Sequence, residues 1–271
     1  MLFAPQDTSV CLHSNGLGDI VTERLEHLER LHSEINANPK ATPLEVKREF
    51  WRIVREIKRE STPNSEEISK AAQIRDILFE VRRGKTYSLR PTLGIMFAFG
   101  IVLSIVPFLY LMTFPLNWTS IMVWTIQEWE LFGLRFLTVF IGVALFYPIG
   151  RLIGARLLGI KIMGVCWDDY KEPTIKIDYV SFLGLHPTKR KWFFFAGGIW
   201  TAITSLLYWA VGAILSFDFT GLILAVVILI FEGYVLARGK GTHKLGEMGL
   251  YNREKKIEQE WRMNLGNESA A

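Results

Sequence analysis

The sequence predicts a mainly α-helical, polytopic membrane protein with four transmembrane helices, a short β-hairpin and a soluble helical bundle at its N-terminus. Two observations predict this fold class. Half of the 271 residues are hydrophobic, although 21% are charged. The charges are concentrated in residues 19–90 and near the C-terminus, and few lie in the long apolar stretches between them. Such segregation is typical of a membrane protein and not of one globular domain.

The N-terminal part is predicted to contain a flexible segment followed by a helical domain. Residues 1–18 lack a basic cluster followed by an apolar run, so we expect a flexible N-terminus and no signal peptide. In residues 19–90 the apolar positions recur at three- and four-residue intervals, which predicts three short helices separated at Asn36–Pro39 and near Pro63. We interpret this domain as a small helical bundle with solvated faces and expect no nucleic-acid partner; a specific partner site is the alternative.

Four apolar stretches make up a transmembrane domain over residues 91–237, followed by a tail at 238–271. About 20 apolar residues are needed to cross a hydrocarbon layer of roughly 30 Å. The spans, called one to four below, are residues 92–113, 132–158, 192–216 and 219–237. Pro107 is expected to kink span one. The tryptophan-rich loop Pro115–Leu131 is expected to lie flat at the outer membrane interface.

A β-hairpin is predicted between spans two and three, at about residues 160–180. In Thr174–Val180 apolar and polar side chains alternate with the period of two that a strand requires. Ile160 and Ile162 could pair with this strand across a turn at Asp168–Pro173. The lysines and arginines lie before span one, between spans two and three and after span four, and residues 114–131 and 217–219 have none. The positive-inside rule therefore predicts that both termini and the hairpin are in the cytoplasm of a cell-membrane protein.

Span two contains a motif that resembles the zinc helix of the site-2 protease family of intramembrane metalloproteases. The segment Phe146-Tyr-Pro-Ile-Gly-Arg-Leu-Ile-Gly-Ala-Arg-Leu-Leu-Gly159 matches the family pattern HExGHxxxAxxxG at Gly150, Ala155 and Gly159. The order of parts also resembles the family: a zinc helix, a β segment, a helix rich in Ala and Gly, and a helix with an acidic residue before Gly. This resemblance covers about residues 133–237.

The chain departs from the family at the residues that would perform catalysis. The resemblance places the two metal-binding histidines at Tyr147 and Arg151, the general-base glutamate at Pro148, a family asparagine at Thr201 and the third ligand at Glu232. Tyrosine is a poor zinc ligand, arginine stays protonated and proline offers no base. We therefore expect a pseudoprotease, with no catalytic residues, no metal and no cofactor.

Arg151 and Glu232 are both expected several residues inside the cytoplasmic end of a span. Ionisable groups at this depth are costly and usually have a partner. We hypothesise that they form an ion pair at the former metal site; the alternative is that each reaches the lipid headgroups separately.

Three functions remain open from the sequence. The first is an inactive relative of the site-2 proteases with a binding or regulatory role, whose partners are the lipid bilayer and another membrane protein or peptide added to the hairpin as a strand. The second is a small membrane transporter or transporter subunit. The third, a working protease whose ligands come from elsewhere, is disfavoured because none of the histidines lies inside a span.

Overall fold

The structure is a computed structural model that describes residues 14–60, 63–167, 173–239 and 246–268. Residues 1–13 of the predicted flexible N-terminus lie outside the described residues. The chain divides into two compact units, Met1–Arg82 and Arg83–Ala271, and each is described by itself.

The first unit contains α1 (Ser14–Ala37), α2 (Leu44–Lys58) and α3, which spans Ser65–Arg83 and ends at the start of the second unit. The predicted helical stripes are buried: Leu28, Leu31, Ile35, Phe50, Ile53 and Ile57 are all at most 1% exposed. Arg24 of α1 forms ion pairs with two later segments of the unit. Its Nε donates to Glu67 Oε1 of α3 at 2.9 Å, and its Nη1 donates to Glu60 Oε1, just after α2, at 2.5 Å. Helix α1 begins at Ser14, within the segment that the sequence predicted to be flexible.

The second unit contains four helices that are long and apolar enough to cross a membrane, as the sequence predicts. Span one is a continuous helix from Leu89 to Leu111, made of α4 (Leu89–Gly100), a π-helical stretch (Ile101–Ile105) and α5 (Val106–Leu111). Pro107 cannot donate a helical hydrogen bond, and the wider π turns directly precede it. Spans two, three and four are α6 (Ile126–Leu158), α8 (Pro187–Ser216) and α9 (Thr220–Arg238).

Span two begins six residues earlier than the sequence reasoning placed it. Thr125 caps α6 through a capping box: its hydroxyl accepts from the Glu128 N–H, and the Glu128 carboxylate accepts from the Thr125 N–H at 2.7 Å. The expected flat loop is therefore shorter, and a 3-10 helix at Trp118–Val123 precedes the cap. The Thr-x-x-Glu spacing in the sequence is the signal that would have located this start.

The hairpin is present, with β1 (Ile162–Trp167) antiparallel to β2 (Pro173–Ile177). Its predicted turn falls mostly on residues 168–172, which lie outside the described residues. Tyr179 belongs to a short helix, α7 (Tyr179–Leu183), and not to the strand. The other edge of β1 is paired with the segment before span one, because Tyr87 N–H donates to Val165 O at 2.8 Å and Val165 N–H donates to Tyr87 O at 2.9 Å.

The expected tail contains α10 (Gly246–Glu268), which docks on the transmembrane helices. It packs chiefly along α8, and its residues Met248 and Ile257 are buried. Asn252 Nδ2 donates to Val235 O at 2.9 Å, which supplies a partner for a carbonyl in the last turn of α9. Helix α8 is thus packed against α6, α9 and α10.

Candidate functional site

The degenerate motif lies in the last third of α6, where the helix packs closely on α8. A Cβ on Gly150 would lie 2.8 Å from the Ala196 carbonyl oxygen, and a Cβ on Gly154 would lie 2.8 Å from Ala196 Cβ. Such distances leave no room for a side chain. The two glycines therefore set the spacing of spans two and three, and Pro148 is buried in the same stretch of helix.

Arg151 is held by a carboxylate from α10. Its Nε donates to Glu247 Oε1 at 2.7 Å, and its Nη1 donates to Thr174 Oγ1 of β2 at 2.5 Å. The Tyr147 hydroxyl, one turn earlier on α6, donates to the same Glu247 oxygen. Tyr147, Arg151, Thr174 and Glu247 are called the Glu247 cluster below. It joins span two, the hairpin and the C-terminal helix.

The structure thus gives Arg151 a different partner from the one that the sequence suggested. The sequence places Glu232 at a matching depth on another span, whereas Glu247 belongs to the tail that follows the spans. What the sequence does not reveal is that α10 turns back and inserts its first turn between the spans. No local pattern around Glu247 in the sequence indicates this position.

Two glycines of α8 form the floor on which the first turn of α10 lies. A Cβ on Gly197 would be 3.1 Å from Glu247 Cδ, and a Cβ on Gly198 would be 2.7 Å from Met248 Cε. A larger residue at either position would require the side chain of Glu247 or Met248 to shift. The Ala-Gly-Gly segment at the start of span three therefore accommodates the C-terminal helix.

Burial and charge act in opposite directions on Glu247, which is 5% exposed. Removal from water raises the pKa of the Glu247 carboxyl well above its ordinary value, and the positive charge of Arg83 opposes that rise. The hydrogen bond from the Arg151 guanidinium also favours the ionised carboxylate. Glu247 therefore depends on its cationic neighbours to remain charged at this depth.

The other two motif positions lie outside the Glu247 cluster. The Thr201 hydroxyl donates to Gly198 O at 2.6 Å, within its own helix. Glu232 of α9 faces the beginning of α10, where the Met248 N–H donates to its carboxylate. A carboxylate is stabilised at a helix N-terminus by the free N–H groups and the helix dipole. Glu232 and Glu247 therefore both hold the first turn of α10, one by accepting from its backbone and the other as part of it.

Further along α10, Glu258 forms an ion pair with Lys191 at the start of α8 and a second ion pair with Arg262 of α10 itself. Lys191 Nζ donates to Glu258 Oε2 at 2.5 Å, and Arg262 Nη2 donates to Glu258 Oε1 at 2.8 Å. Partial burial acts to raise the pKa of Glu258, but the hydrogen bonds from Lys191 and Arg262 outweigh it and lower that pKa. Glu258 is thus an ionised anchor for α10.

A second buried charge pair lies at the opposite end of the bundle. Arg135 of α6 and Asp218 of the turn between α8 and α9 form an ion pair, and both side chains are fully buried. Arg135 also donates to the carbonyl of Leu111 at 2.8 Å and to that of Phe114, just after span one. Asp218 Oδ1 also accepts from the N–H of Thr220, the first residue of α9, at 2.9 Å. The sequence alone did not indicate Arg135 as a site residue.

In the part of the chain that the structure describes, no group of three or more His, Cys, Asp or Glu side chains could hold a metal ion. Comparison with protein-family models, curated proteins and solved structures found no match to this chain.

Proposed function

We propose that this chain is a catalytically inactive, site-2-protease-like integral membrane protein with a binding or regulatory role. The observation that carries the proposal is the contact of Tyr147 and Arg151 with Glu247. These are the two positions where the resemblance places metal-binding histidines. Here a phenol and a guanidinium bind a carboxylate of the same chain, a use that fits their donor chemistry.

The membrane setting and orientation complete the proposal. Four helices have the length and composition of membrane spans. The cationic residues lie at the ends of the spans from which α10 and the hairpin extend, which favours a cell-membrane protein with both termini in the cytoplasm. The Glu247 cluster would then lie near the cytoplasmic surface.

The hairpin supports a binding role. Two backbone hydrogen bonds between Tyr87 and Val165 already add an extended segment of the chain to the free edge of β1. Recognition through such an edge needs only backbone groups and no metal. The proposed partner is another membrane protein or a peptide that extends or replaces this pairing.

Zinc analysis of the purified full-length protein tests the absence of catalysis. The proposal predicts far less than one zinc per chain after purification without chelators, and unchanged thermal unfolding when zinc is added. Stoichiometric zinc, or zinc-dependent cleavage of a transmembrane substrate, would overturn it.

Site-specific photo-crosslinking in native membranes tests the binding role. A photoreactive residue at Met163, which is 51% exposed on β1, should capture a discrete partner. The same residue at Met122, which is 96% exposed in the 3-10 helix, is the matched control and should not capture it. Identical products from both positions would contradict recognition through the hairpin.

A further inference from the structure

Glu232 has two carboxylate oxygens with different surroundings. One side of the group faces the start of α10: the Met248 N–H donates to the carboxylate, and a Cβ on Gly246 would lie 3.9 Å from Oε1. The other oxygen, Oε2, is buried and has no hydrogen-bond partner among the residues that the structure describes. A buried carboxylate oxygen without a donor or a cation is unfavourable. Oε2 is thus a buried acceptor for which the described residues supply no donor.

A groove with a cavity of about 120 Å³ opens beside Glu232, between α8, α9 and the start of α10. It is called the Glu232 groove below. Apart from Glu232, its described lining consists of glycines and apolar side chains, among them Phe195, Ile199, Ala202, Ile228, Leu229 and Leu236. Leu229 is 45% exposed on the surface of a membrane span, so the groove is open towards the lipid chains. The groove combines one negatively charged group with apolar walls.

The donor set of the groove distinguishes between classes of ligand. Calcium takes six to eight oxygen ligands and magnesium a full octahedral shell, whereas the described lining of the groove supplies a single carboxylate. A phospholipid would bring a phosphate, yet the described lining contains no lysine or arginine to pair with it. A primary ammonium brings one positive charge and an N–H donor for Glu232 Oε2, and an alkyl chain matches the walls.

We propose that the Glu232 groove binds the primary ammonium group of a single-chain amphiphile that enters from the bilayer. The ammonium donates to Glu232 Oε2, the first carbons of the chain contact the apolar walls, and the rest of the chain stays among the lipids. This site would exist whether or not the chain is related to proteases, because it depends only on the groove and its carboxylate.

Native mass spectrometry of the full-length protein in detergent tests this proposal, with dodecylamine as the probe. The wild-type protein is expected to bind one dodecylamine saturably, and Glu232→Gln is expected to weaken binding at least tenfold. Dodecanol, which has the same chain and no charge, should bind no better than it does to Glu232→Gln. The matched control Glu130→Gln, at an exposed glutamate near the start of α6, should bind like the wild type.

A second variant covers the case in which Glu232→Gln does not fold. A Cβ on Gly233 meets nothing within 4 Å, so Gly233→Leu should fold and place an alkyl group at the groove. We expect it to weaken dodecylamine binding at least tenfold, while Gly133→Leu, at another glycine with open space on α6, leaves binding unchanged. Equal binding by the wild type, Glu232→Gln and Gly233→Leu, or equal binding of dodecylamine and dodecanol, would overturn the proposal.

Discussion

Arg151 in span two and Glu247 in the C-terminal helix are 96 positions apart in the sequence, and their side chains are hydrogen-bonded at 2.7 Å. This contact is one of several that hold α10 against the spans. It brings a carboxylate to the positions where the resemblance to site-2 proteases would place a metal, and Gly197 and Gly198 provide the space for it. The first turn of α10 therefore occupies the part of the chain that resembles the zinc site of the site-2 proteases.

Close packing of α6 on α8 predicts a specific sensitivity at Gly150. We expect Gly150→Ala to lower the free energy of unfolding by about 1–3 kcal/mol, because the added methyl group has no space beside Ala196 O. Gly133→Ala on the same helix is the control, since its Cβ meets nothing within 4 Å. Thermal unfolding in detergent measures both, and equal stability of the two variants would contradict the packing described.

Because the Arg135–Asp218 pair is buried, replacing Arg135 alone should lower the stability of the protein more than replacing both residues. Arg135→Met should cost about 3–5 kcal/mol, because it leaves the buried Asp218 carboxylate without its cation. Adding Asp218→Asn should recover part of that loss. Lys256→Ala removes an exposed ion pair with Glu260 and should change stability by no more than about 1 kcal/mol. Thermal unfolding of the four proteins decides; if Arg135→Met unfolds like Lys256→Ala, the pair is not buried.

The proposed orientation predicts which parts of the chain are accessible from outside the cell. In a background of Cys11→Ser and Cys166→Ser, a cysteine at Met122 should react with a membrane-impermeant maleimide in intact cells. A cysteine at Met263, which is 61% exposed on α10, should react only after permeabilisation. The reverse pattern would show that the positive-inside reasoning fails for this chain.

Acidification is predicted to loosen α10 through Glu258. The pKa of Glu258 is lower in the folded protein than its ordinary value of about 4.3. A lowered carboxyl pKa contributes stability that is present above the unfolded value and is lost as the pH falls through the folded value. A spin label at Met263 should therefore gain mobility below about pH 4, and the Glu258→Gln variant should lack that part of the transition. A mobility change of equal size in Glu258→Gln would assign the effect to another group.

Much of the architecture could be predicted from local sequence patterns. These patterns are short-range signals. Pro39 and Pro63 lie between the helices of the first unit, the charge-free stretch after Pro91 forms span one, and the alternation that begins at Thr174 forms β2. The early start of α6 was missed although Thr125 and Glu128 have the capping-box spacing. The tryptophans of that segment favoured a flat loop at the membrane interface instead.

The contacts of the candidate site could not be predicted in the same way. Matching depths made Glu232 a reasonable partner for Arg151, but depth says nothing about a helix outside the spans that folds back between them. The burial of Thr174, a polar position of the hairpin, likewise follows from its hydrogen bond with Arg151 and not from its strand pattern. Long-range pairing of this kind is set by tertiary packing. It produces no periodic pattern or short motif that can be recognised in a single sequence.

A double-mutant cycle between Arg151 and Glu247 tests the central claim most directly. Thermal unfolding in detergent should be measured for Arg151→Glu, Glu247→Arg and the double variant, with Glu232→Arg combined with Arg151→Glu as the matched comparison. The account predicts that the two single variants are destabilised and that the Arg151–Glu247 double variant recovers about 1–3 kcal/mol relative to their sum. No recovery for that pair, or recovery with Glu232→Arg in its place, would contradict it.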